Sequence, residues 1–369
     1  MLRIGIDGSC LSTRLSGVGR YAFELCKALD TKVPEALFFI YSTSTNNLPF
    51  FSERWTLRTE PPLRGPFAMT RWLRYHVPEY CSQDKLDAFW AVATLAPILP
   101  VHIRIIATVY DLNYMLVPRT MKLGTLWAHR MFFRSSLARA SAITTISRGT
   151  ADRLATLLGF RTTAVVTPGV SDVFHRRDEQ TISACLHAYR VAPPYLLSVA
   201  TKEPRKNLEL LIRTFLGMKK DGMLPAHKLV LVGDSGWRNA SLSKLLRQAP
   251  LDSVVSLGYV SDHDLSVLYS GSEALLFPSV YEGFGMPLAE ARACGTRIVS
   301  SDIPELREAG DPRGVYIAAT EQGIRNGIVS CLTQPRPLPA DGPQLPTWTA
   351  AAAIMSGVFS NVVNRTLPK

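Results

Sequence analysis

The sequence predicts a parallel α/β protein built in two halves. Short apolar runs alternate with longer stretches of helical spacing, the pattern left by strands and crossover helices. The turn-rich stretch Thr167-Pro-Gly-Val-Ser-Asp-Val-Phe174 interrupts the alternation, which starts again at Tyr195. At 369 residues the chain is also too long for one ordinary core, so each series is read as a domain of its own.

In the first series, strands are expected at Ile4–Ile6, Leu37–Tyr41, Ala88–Trp90, Ile105–Val109, Ala142–Ile146 and Ala164–Val166, short apolar runs of the kind buried on both faces. Between them Arg20–Leu29, Met121–Ala138 and Ser147–Leu158 carry helical spacing, and Ser147 heads the last of these as an N-cap. The second series gives strands at Tyr195–Val199, Leu229–Val232, Val254–Leu257, Ala274–Phe277 and Arg297–Ser300, with helices at Asn207–Phe215 and Leu288–Ala293. Five prolines between Pro335 and Pro346 mark a connector, and the apolar stretch from Thr349 to Val363 is a last helix. The expected division is therefore 1–175, 190–335 and a terminal helix within 347–369.

Hydrophobic content of 47% with 19% charged residues excludes a disordered chain. The net charge of +11 is uneven: residues 1–177 hold 22 Lys and Arg against 12 Asp and Glu, whereas residues 178–369 hold 19 against 18. The basic first half points to an anionic partner. Cys10, Cys26, Cys81, Cys185, Cys294 and Cys331 are scattered without a Cys-x-x-Cys pair, and the seven histidines are isolated. That argues against a disulfide framework or a metal knuckle and fits a reducing compartment. No apolar run reaches the roughly 18 residues of a membrane span. The N-terminal Met-Leu-Arg-Ile-Gly-Ile reads as a buried strand rather than a signal peptide. A cytoplasmic protein, with room for contact at the inner face of a membrane, is expected.

Four stretches carry candidate chemistry. In Arg14-Leu-Ser-Gly-Val-Gly-Arg-Tyr-Ala22 a Gly-x-Gly-x-x-Ala pattern stands about ten residues after Ile6, too late for a dinucleotide fingerprint, and no acid ends the second strand. What remains is a turn at Gly17 and Gly19 opening a helix, with Arg20 beside it: an anion site, or a plain connection. In Leu197-Ser-Val-Ala-Thr-Lys-Glu-Pro-Arg-Lys-Asn-Leu208 a strand ends in Lys202, Arg205 and Lys206, three cations suited to a diphosphate or to a solvated loop.

The third stretch is Ser279-Val-Tyr-Glu-Gly-Phe-Gly-Met-Pro-Leu-Ala-Glu290. Pro287 fits the first turn of a helix that Gly295 closes, and glycines let backbone N–H groups approach a ligand. A carboxylate accepts two hydroxyl hydrogens well, so Glu282 and Glu290 suit a sugar diol. The helix dipole alone would account for Glu290 in a first turn but not for Glu282. The fourth is Ile105-Ile-Ala-Thr-Val-Tyr-Asp-Leu112, a strand ending in Tyr110 and Asp111, either site residues or a loop cap. Ser261-Asp-His-Asp264 contains an Asp-x-Asp pair, but its spacing is that of a capping box, not of a metal site.

Taken in order, Gly17-Val-Gly-Arg-Tyr21, Val109-Tyr-Asp-Leu112, Ser147-Arg-Gly-Thr150, Glu203-Pro-Arg-Lys-Asn207, Leu231-Val-Gly233 with Gly236-Trp237, Gly258-Tyr-Val-Ser-Asp262, Phe277 to Glu290 and Cys294 to Glu305 resemble the signposts of retaining glycosyltransferases of family 4 (glycosyl transferases group 1). The resemblance covers nearly the whole chain. It implies the GT-B fold, two Rossmann-like domains facing across a cleft, with a C-terminal helix crossing back to the first. The first domain would lie on the acceptor side and the second would bind the nucleotide sugar. By matching position, Glu290 would hold the ribose and Arg205 with Lys206 the diphosphate, Lys202 nearby. Glu282 and the N–H groups of Gly283, Phe284, Gly285 and Met286, ahead of Pro287, would lie against the sugar. Gly17 and Gly19 would close on the phosphates, and no metal or other cofactor is implied. Two departures stand out: Tyr110-Asp111 replaces a frequent His-Asp pair, and Val199-Ala-Thr201 lacks a frequent Arg.

The reaction so implied moves a hexose, mannose or a deoxy-mannose from a GDP-sugar (UDP- or dTDP-sugars being the other donors), to a glycan or polyprenyl-diphosphate-linked acceptor in bacterial surface-polysaccharide or O-antigen synthesis. Arg64–His76 and His129–Arg139 mix Arg with aromatics, which suits an anionic membrane surface or inward-packed helices. Two other classes remain: a nucleotide-sugar epimerase or phosphorylase on a similar fold, and a non-enzymatic anion- or nucleotide-binding module. No role for nucleic acid is expected of the paired glutamates.

Overall fold

The computed structural model describes residues 1–11, 15–43, 52–59, 72–237, 240–337 and 344–364, the side chains of 73 and 74 excepted. Its contacts divide into two units, one of Met1–Tyr114, Leu123–Gly169 and Pro346–Lys369, the other of Met115–Lys122 and Val170–Leu345.

The first unit contains β1 (Arg3–Asp7), α1 (Gly17–Lys32), β2 (Leu37–Ser42), β3 (Trp55–Thr59), α2 (Val77–Gln83), β4 (Ala88–Ala91), β5 (Arg104–Val109), α3 (Leu123–Arg139), β6 (Ala142–Thr145), α4 (Arg148–Leu158) and β7 (Ala164–Val165). All seven strands are parallel, in the order β3-β2-β1-β4-β5-β6-β7. β4 and β6 are buried along their whole length, as apolar runs sandwiched between helices should be. Ser147 caps α4 by accepting from the Thr150 N–H at 3.0 Å, and Gly159 ends it at φ +75°.

The second unit contains α5 (Glu179–Ala188), β8 (Tyr195–Val199), α6 (Leu208–Lys220), β9 (Lys228–Val232), α7 (Ala240–Gln248), β10 (Val254–Gly258), α8 (Asp262–Gly271), β11 (Ala274–Phe277), α9 (Met286–Ala293), β12 (Arg297–Ser301), α10 (Pro304–Ala309), β13 (Val315–Ile317) and α11 (Glu321–Thr333). Its parallel sheet runs β10-β9-β8-β11-β12-β13. The order reverses between β8 and β11, the topological switch point of a doubly wound sheet. Leu208, Leu211, Ile212, Phe215 and Met218 recur at helical spacing on α6 and are buried against the strands. Truncating Phe215 to Ala in that core would cost about 3–5 kcal/mol. Lys219 and Lys220 favour the helix end, and Gly222 leaves it at φ +74°.

The last helix, α12 (Trp348–Asn364), belongs to the first unit, where its face of Ala351, Ala352, Met355, Val358, Phe359 and Val362 is buried against α1. It returns to that unit as the family resemblance implies. A Cβ on Gly169 would stand 2.2 Å from the Trp348 N, so the chain meets this helix where only glycine fits.

The sequence does not anticipate β3 and β13. Trp55-Thr-Leu-Arg-Thr59 is a half-buried edge strand mixing polar and apolar residues, and β13 has only three residues. Among the described residues no helix is long and apolar enough to cross a membrane.

Candidate active site

The loops after β8 and β11 meet at the switch point, outside the carboxyl ends of the strands. After β8 the Ala200 carbonyl lies 2.2 Å from where a Cβ on Gly233 would stand, and Gly233 has φ +131°, so the loop after β9 requires glycine there. Lys202 lies on this seam, donating its backbone N–H to the Asp234 carbonyl at 3.0 Å and Nζ to the Gly233 carbonyl at 3.2 Å. A single 3-10 turn, Pro204–Lys206, then carries the other two cations. The Val280 N–H donates to the Arg205 carbonyl at 2.9 Å, joining the β8 loop to the β11 loop.

Glu282 stands between the two cations. Lys206 Nζ donates to Oε1 at 2.6 Å and Arg205 Nη1 to Oε2 at 2.5 Å. All three side chains are largely buried, Glu282 at 7% exposure, so water does little to screen them. Burial alone would raise the Glu282 carboxyl; Arg205 and Lys206 outweigh it and hold the group at about 2. Burial, and then the neighbouring Arg205, push the Lys206 ammonium below its ordinary range against the pull of Glu282 and Glu203. Arg205 Nη2 donates to Glu203 Oε1 at 2.7 Å. Glu203 is a residue that sequence reasoning missed: in Glu-Pro-Arg-Lys it reads as part of a charged loop, and only the fold turns it inward. The four side chains, two cations and two anions, close a cluster of zero net charge.

Gly285 follows as the N-cap of α9 at φ +97°, where a Cβ would come within 2.5 Å of Leu306 Cδ2. Gly283 and Phe284 precede it, while Met286 and Pro287 begin the helix, Pro287 where a missing N–H is harmless. A cavity of about 460 Å³ opens on the flank of the β8 loop, lined by Lys202, Glu203, Pro204 and Asn207 among others, but not by Arg205, Lys206 or Glu282.

Glu290 differs from its expected position. It is the fifth residue of α9, beyond the first turn, so the helix dipole no longer accounts for it. Tyr269 on α8 donates its hydroxyl to Glu290 Oε2 at 3.0 Å, and both are buried. Tyr269 is a second residue that sequence reasoning missed, because at helical spacing it reads as core. Ser261 Oγ accepts from the Asp264 N–H at 3.1 Å and caps α8, while Asp264 Oδ2 accepts from the Tyr189 hydroxyl at 2.7 Å.

Lys202, Arg205, Lys206, Glu282, Gly283, Phe284, Gly285, Met286, Pro287 and Glu290 thus share the switch-point edge of the second unit. Gly17, Gly19, Arg20, Tyr110 and Asp111 belong to the first unit. Gly17 and Gly19 lie inside the first turn of α1, and the Gly19 N–H donates to the Ser16 hydroxyl at 3.3 Å. A Cβ on Gly19 would stand 2.4 Å from the Cys10 carbonyl oxygen, so close packing already requires that glycine. The Asp111 carboxylate accepts from the Asn113 backbone N–H at 3.0 Å and from its amide at 2.6 Å, a local turn. The Tyr110 ring packs edge-on against Tyr21 at 5.3 Å, and its hydroxyl is buried without a hydrogen-bond partner among the described residues. Burial, then Cys10, Tyr21 and Asp7, raise that hydroxyl well above its ordinary value.

Two family profiles match successive parts of the chain: Glycosyltransferase Family 4 over residues 15–173 and Glycosyl transferases group 1 over residues 187–322. The O-antigen chain mannosyltransferase B of Escherichia coli is 25% identical over 332 residues, 82% of this chain and 82% of that one. Sucrose-phosphate synthase from Thermosynechococcus elongatus shares the fold with a TM-score of 0.78 at 17% identity, over 98% of this chain and 99% of that one. HepE of Anabaena, in complex with UDP and glucose, does so with a TM-score of 0.68 at 15% identity, over 98% and 96%. Matched by both profiles over most of its length, the chain belongs to the family 4, group 1 glycosyltransferases of the GT-B fold.

Proposed function

We propose that the protein transfers mannose or a deoxy-mannose from its GDP-sugar, with retention of configuration, to a hydroxyl of a polyprenyl-diphosphate-linked glycan, in the synthesis of an O-antigen or a similar surface polysaccharide. The observation that carries this reading is Glu282, a buried carboxylate kept ionised by Arg205 and Lys206 at the switch point. A relative named as an O-antigen chain mannosyltransferase supports the sugar and the acceptor. The fold neighbour binding UDP and glucose keeps a UDP-hexose as the second donor.

The transition state would be oxocarbenium-like, with negative charge growing on the leaving diphosphate. Lys206, Lys202 and the N–H groups of the 283–286 turn would meet that charge, the largest lever available to such a site. No metal is needed in this scheme. The acceptor hydroxyl attacks from the leaving-group side and its proton passes to the departing phosphate, so Tyr110 is not required as a base.

A thermal screen of nucleotide sugars in a chelator tests the donor. GDP-mannose at a hundred times its Kd should add about 2.7 kcal/mol to stability. The anomer formed on a lipid-linked acceptor decides retention, and conversion of donor without acceptor favours an epimerase instead.

A membrane surface at the cytoplasmic face is the second partner proposed. Sequence points to Arg64–His76 and His129–Arg139, but residues 64–71 lie outside the described residues and Trp72 is fully buried. On α3 the inward residues are Leu126, Phe133 and Leu137, whereas Leu123, Trp127 and Met131 are 61–65% exposed. A helix apolar on both faces is ordinarily buried, and this one carries Arg130, Arg134 and Arg139 and no acid. That pairing of apolar and cationic groups suits an anionic bilayer. Vesicles of phosphatidylglycerol should pull the protein down at low salt and phosphatidylcholine should not; equal binding to both would end this part of the proposal.

A further inference from the structure

We infer that Arg205 is a positioning residue, locked by Glu203, which fixes Glu282 for the donor and leaves the diphosphate to Lys206 and Lys202. The inference rests on the transfer reading above and sharpens it, since matching position alone would assign Arg205 and Lys206 to the diphosphate together.

The geometry separates the two cations. Arg205 Nη1 donates to the Tyr281 carbonyl at 2.9 Å and to Glu282 Oε2 at 2.5 Å, while Nη2 donates to Glu203 Oε1 at 2.7 Å. Three donors of a rigid planar fork are therefore committed to protein acceptors on two sides, and turning the fork toward a phosphate would break them together. Both carboxylates on Arg205 are buried, at 7% exposure, and neither tolerates the loss of its cation in such a place. Glu203 belongs to this lock. Its Oε1 holds the arm of the guanidinium that does not touch Glu282, and so sets the plane from which Nη1 reaches Glu282.

Lys206 is built for the other task. Its ammonium carries three donors on a flexible stem, one of them on Glu282 at 2.6 Å, over the Phe277 ring at 5.3 Å. It can pivot toward a phosphate and still keep Glu282. Lys202, on the Gly233 carbonyl at 3.2 Å, gives up one neutral acceptor at most. The zero net charge of the Glu203, Arg205, Lys206 and Glu282 cluster has a further consequence. A diphosphate entering beside it gains from spare N–H donors more than from excess positive charge, so its affinity should depend on Lys206 far more than on Arg205.

The test compares Arg205→Gln, Arg205→Lys, Glu203→Gln and Lys206→Gln in the full chain, with circular dichroism and melting curves as the folding control. Isothermal titration with GDP and with UDP reads the diphosphate site, and steady-state transfer reads kcat. Arg205→Gln and Arg205→Lys should each lower kcat about 10²-fold or more, as loss of a preorganised group does, with the nucleoside-diphosphate Kd within about threefold of wild type. Lys206→Gln should weaken Kd about tenfold or more, the scale of a charge-assisted hydrogen bond. Glu203→Gln, isosteric and the mildest of the set, should lower kcat about tenfold at unchanged Kd. In Arg205→Gln the acid limb of kcat should move up by about one pH unit or more as Glu282 loses one of its two cations, a shift a merely structural residue would not produce. The inference is overturned if Arg205→Gln weakens Kd as much as Lys206→Gln does, or if Glu203→Gln keeps wild-type kcat. A wild type that binds neither GDP nor UDP is a different result: it removes the transfer reading itself, and the inference with it.

Discussion

At the switch point of the second sheet, between β8 and β11, four largely buried charged side chains pair off: Glu203, Arg205, Lys206 and Glu282. At the corresponding point of the first sheet, between β1 and β4, burial works against charge instead. Asp7 closes β1, accepting from the Ser9 and Ala93 backbone N–H groups at 3.0 and 3.3 Å, and burial raises its carboxyl in spite of them. Around it the Cys10 and Cys26 thiols and the Tyr21 and Tyr110 hydroxyls are all pushed upward by the same burial. Two sheets that reverse at the same point of their strand order, the first carrying one strand more, thus hold opposite electrostatic environments at equivalent edges. Strand order fixes where a ligand can enter; loop cations such as Arg205 and Lys206 decide what chemistry is available there.

Removing the carboxylate should break that contrast most severely. Glu282→Ala leaves the largely buried Arg205 and Lys206 side by side without it, at a cost of about 3–5 kcal/mol in stability. Transfer should fall by about 10³-fold or more, and Lys206→Ala should follow closely. Glu282→Gln keeps the shape and isolates the charge. The same residue gives a pH signature. Its folded value of about 2 lies below the ordinary 4.5, so its contribution is complete above pH 4.5 and disappears as the pH falls toward 2. That contribution is on the order of 3 kcal/mol. Denaturant midpoints at pH 5 and pH 3 should therefore converge for wild type and Glu282→Gln at the lower pH. Parallel midpoints would mean that the carboxylate is not held by its cations.

A middle-sized effect is expected at Tyr269. Tyr269→Phe deletes the hydrogen bond to Glu290 Oε2, and if Glu290 holds the ribose, nucleoside-diphosphate affinity should weaken about three- to tenfold with kcat nearly kept. The case also marks what a sequence can disclose. Glu282 stands out because an acid among glycines has no simple structural use, and Arg205 and Lys206 because they follow a strand end, where open α/β sheets bind ligands. Glu203 and Tyr269 do not, since a glutamate in a charged loop and a tyrosine at helical spacing are ordinary until the fold points one at Arg205 and the other at Glu290. Glu290 shows the converse error, a plausible helix-dipole acid that proves to lie just past the first turn of α9. The strands form where the apolar runs place them, and the exceptions, β3 and β13, sit on sheet edges where half-burial blurs the pattern.

The smallest effect should come from Tyr110, and its smallness is informative. In this chain Tyr110 stands where many relatives of its motif have a histidine, which invites a proton-transfer role. Its surroundings oppose one: the hydroxyl is buried beside Tyr21 without a hydrogen-bond partner among the described residues, and burial drives it further from ionising. Tyr110→Phe removes a buried, unsatisfied hydroxyl and leaves the ring contact in place. Stability should hold or rise by up to about 1 kcal/mol, since the group lost was desolvated without compensation. Transfer should change by no more than about threefold, against the 10³-fold loss expected at Glu282. A collapse of transfer in Tyr110→Phe with an unchanged melting curve would reverse the comparison: the first sheet's edge would then hold a working donor, and its neutrality would be part of the mechanism rather than a consequence of packing.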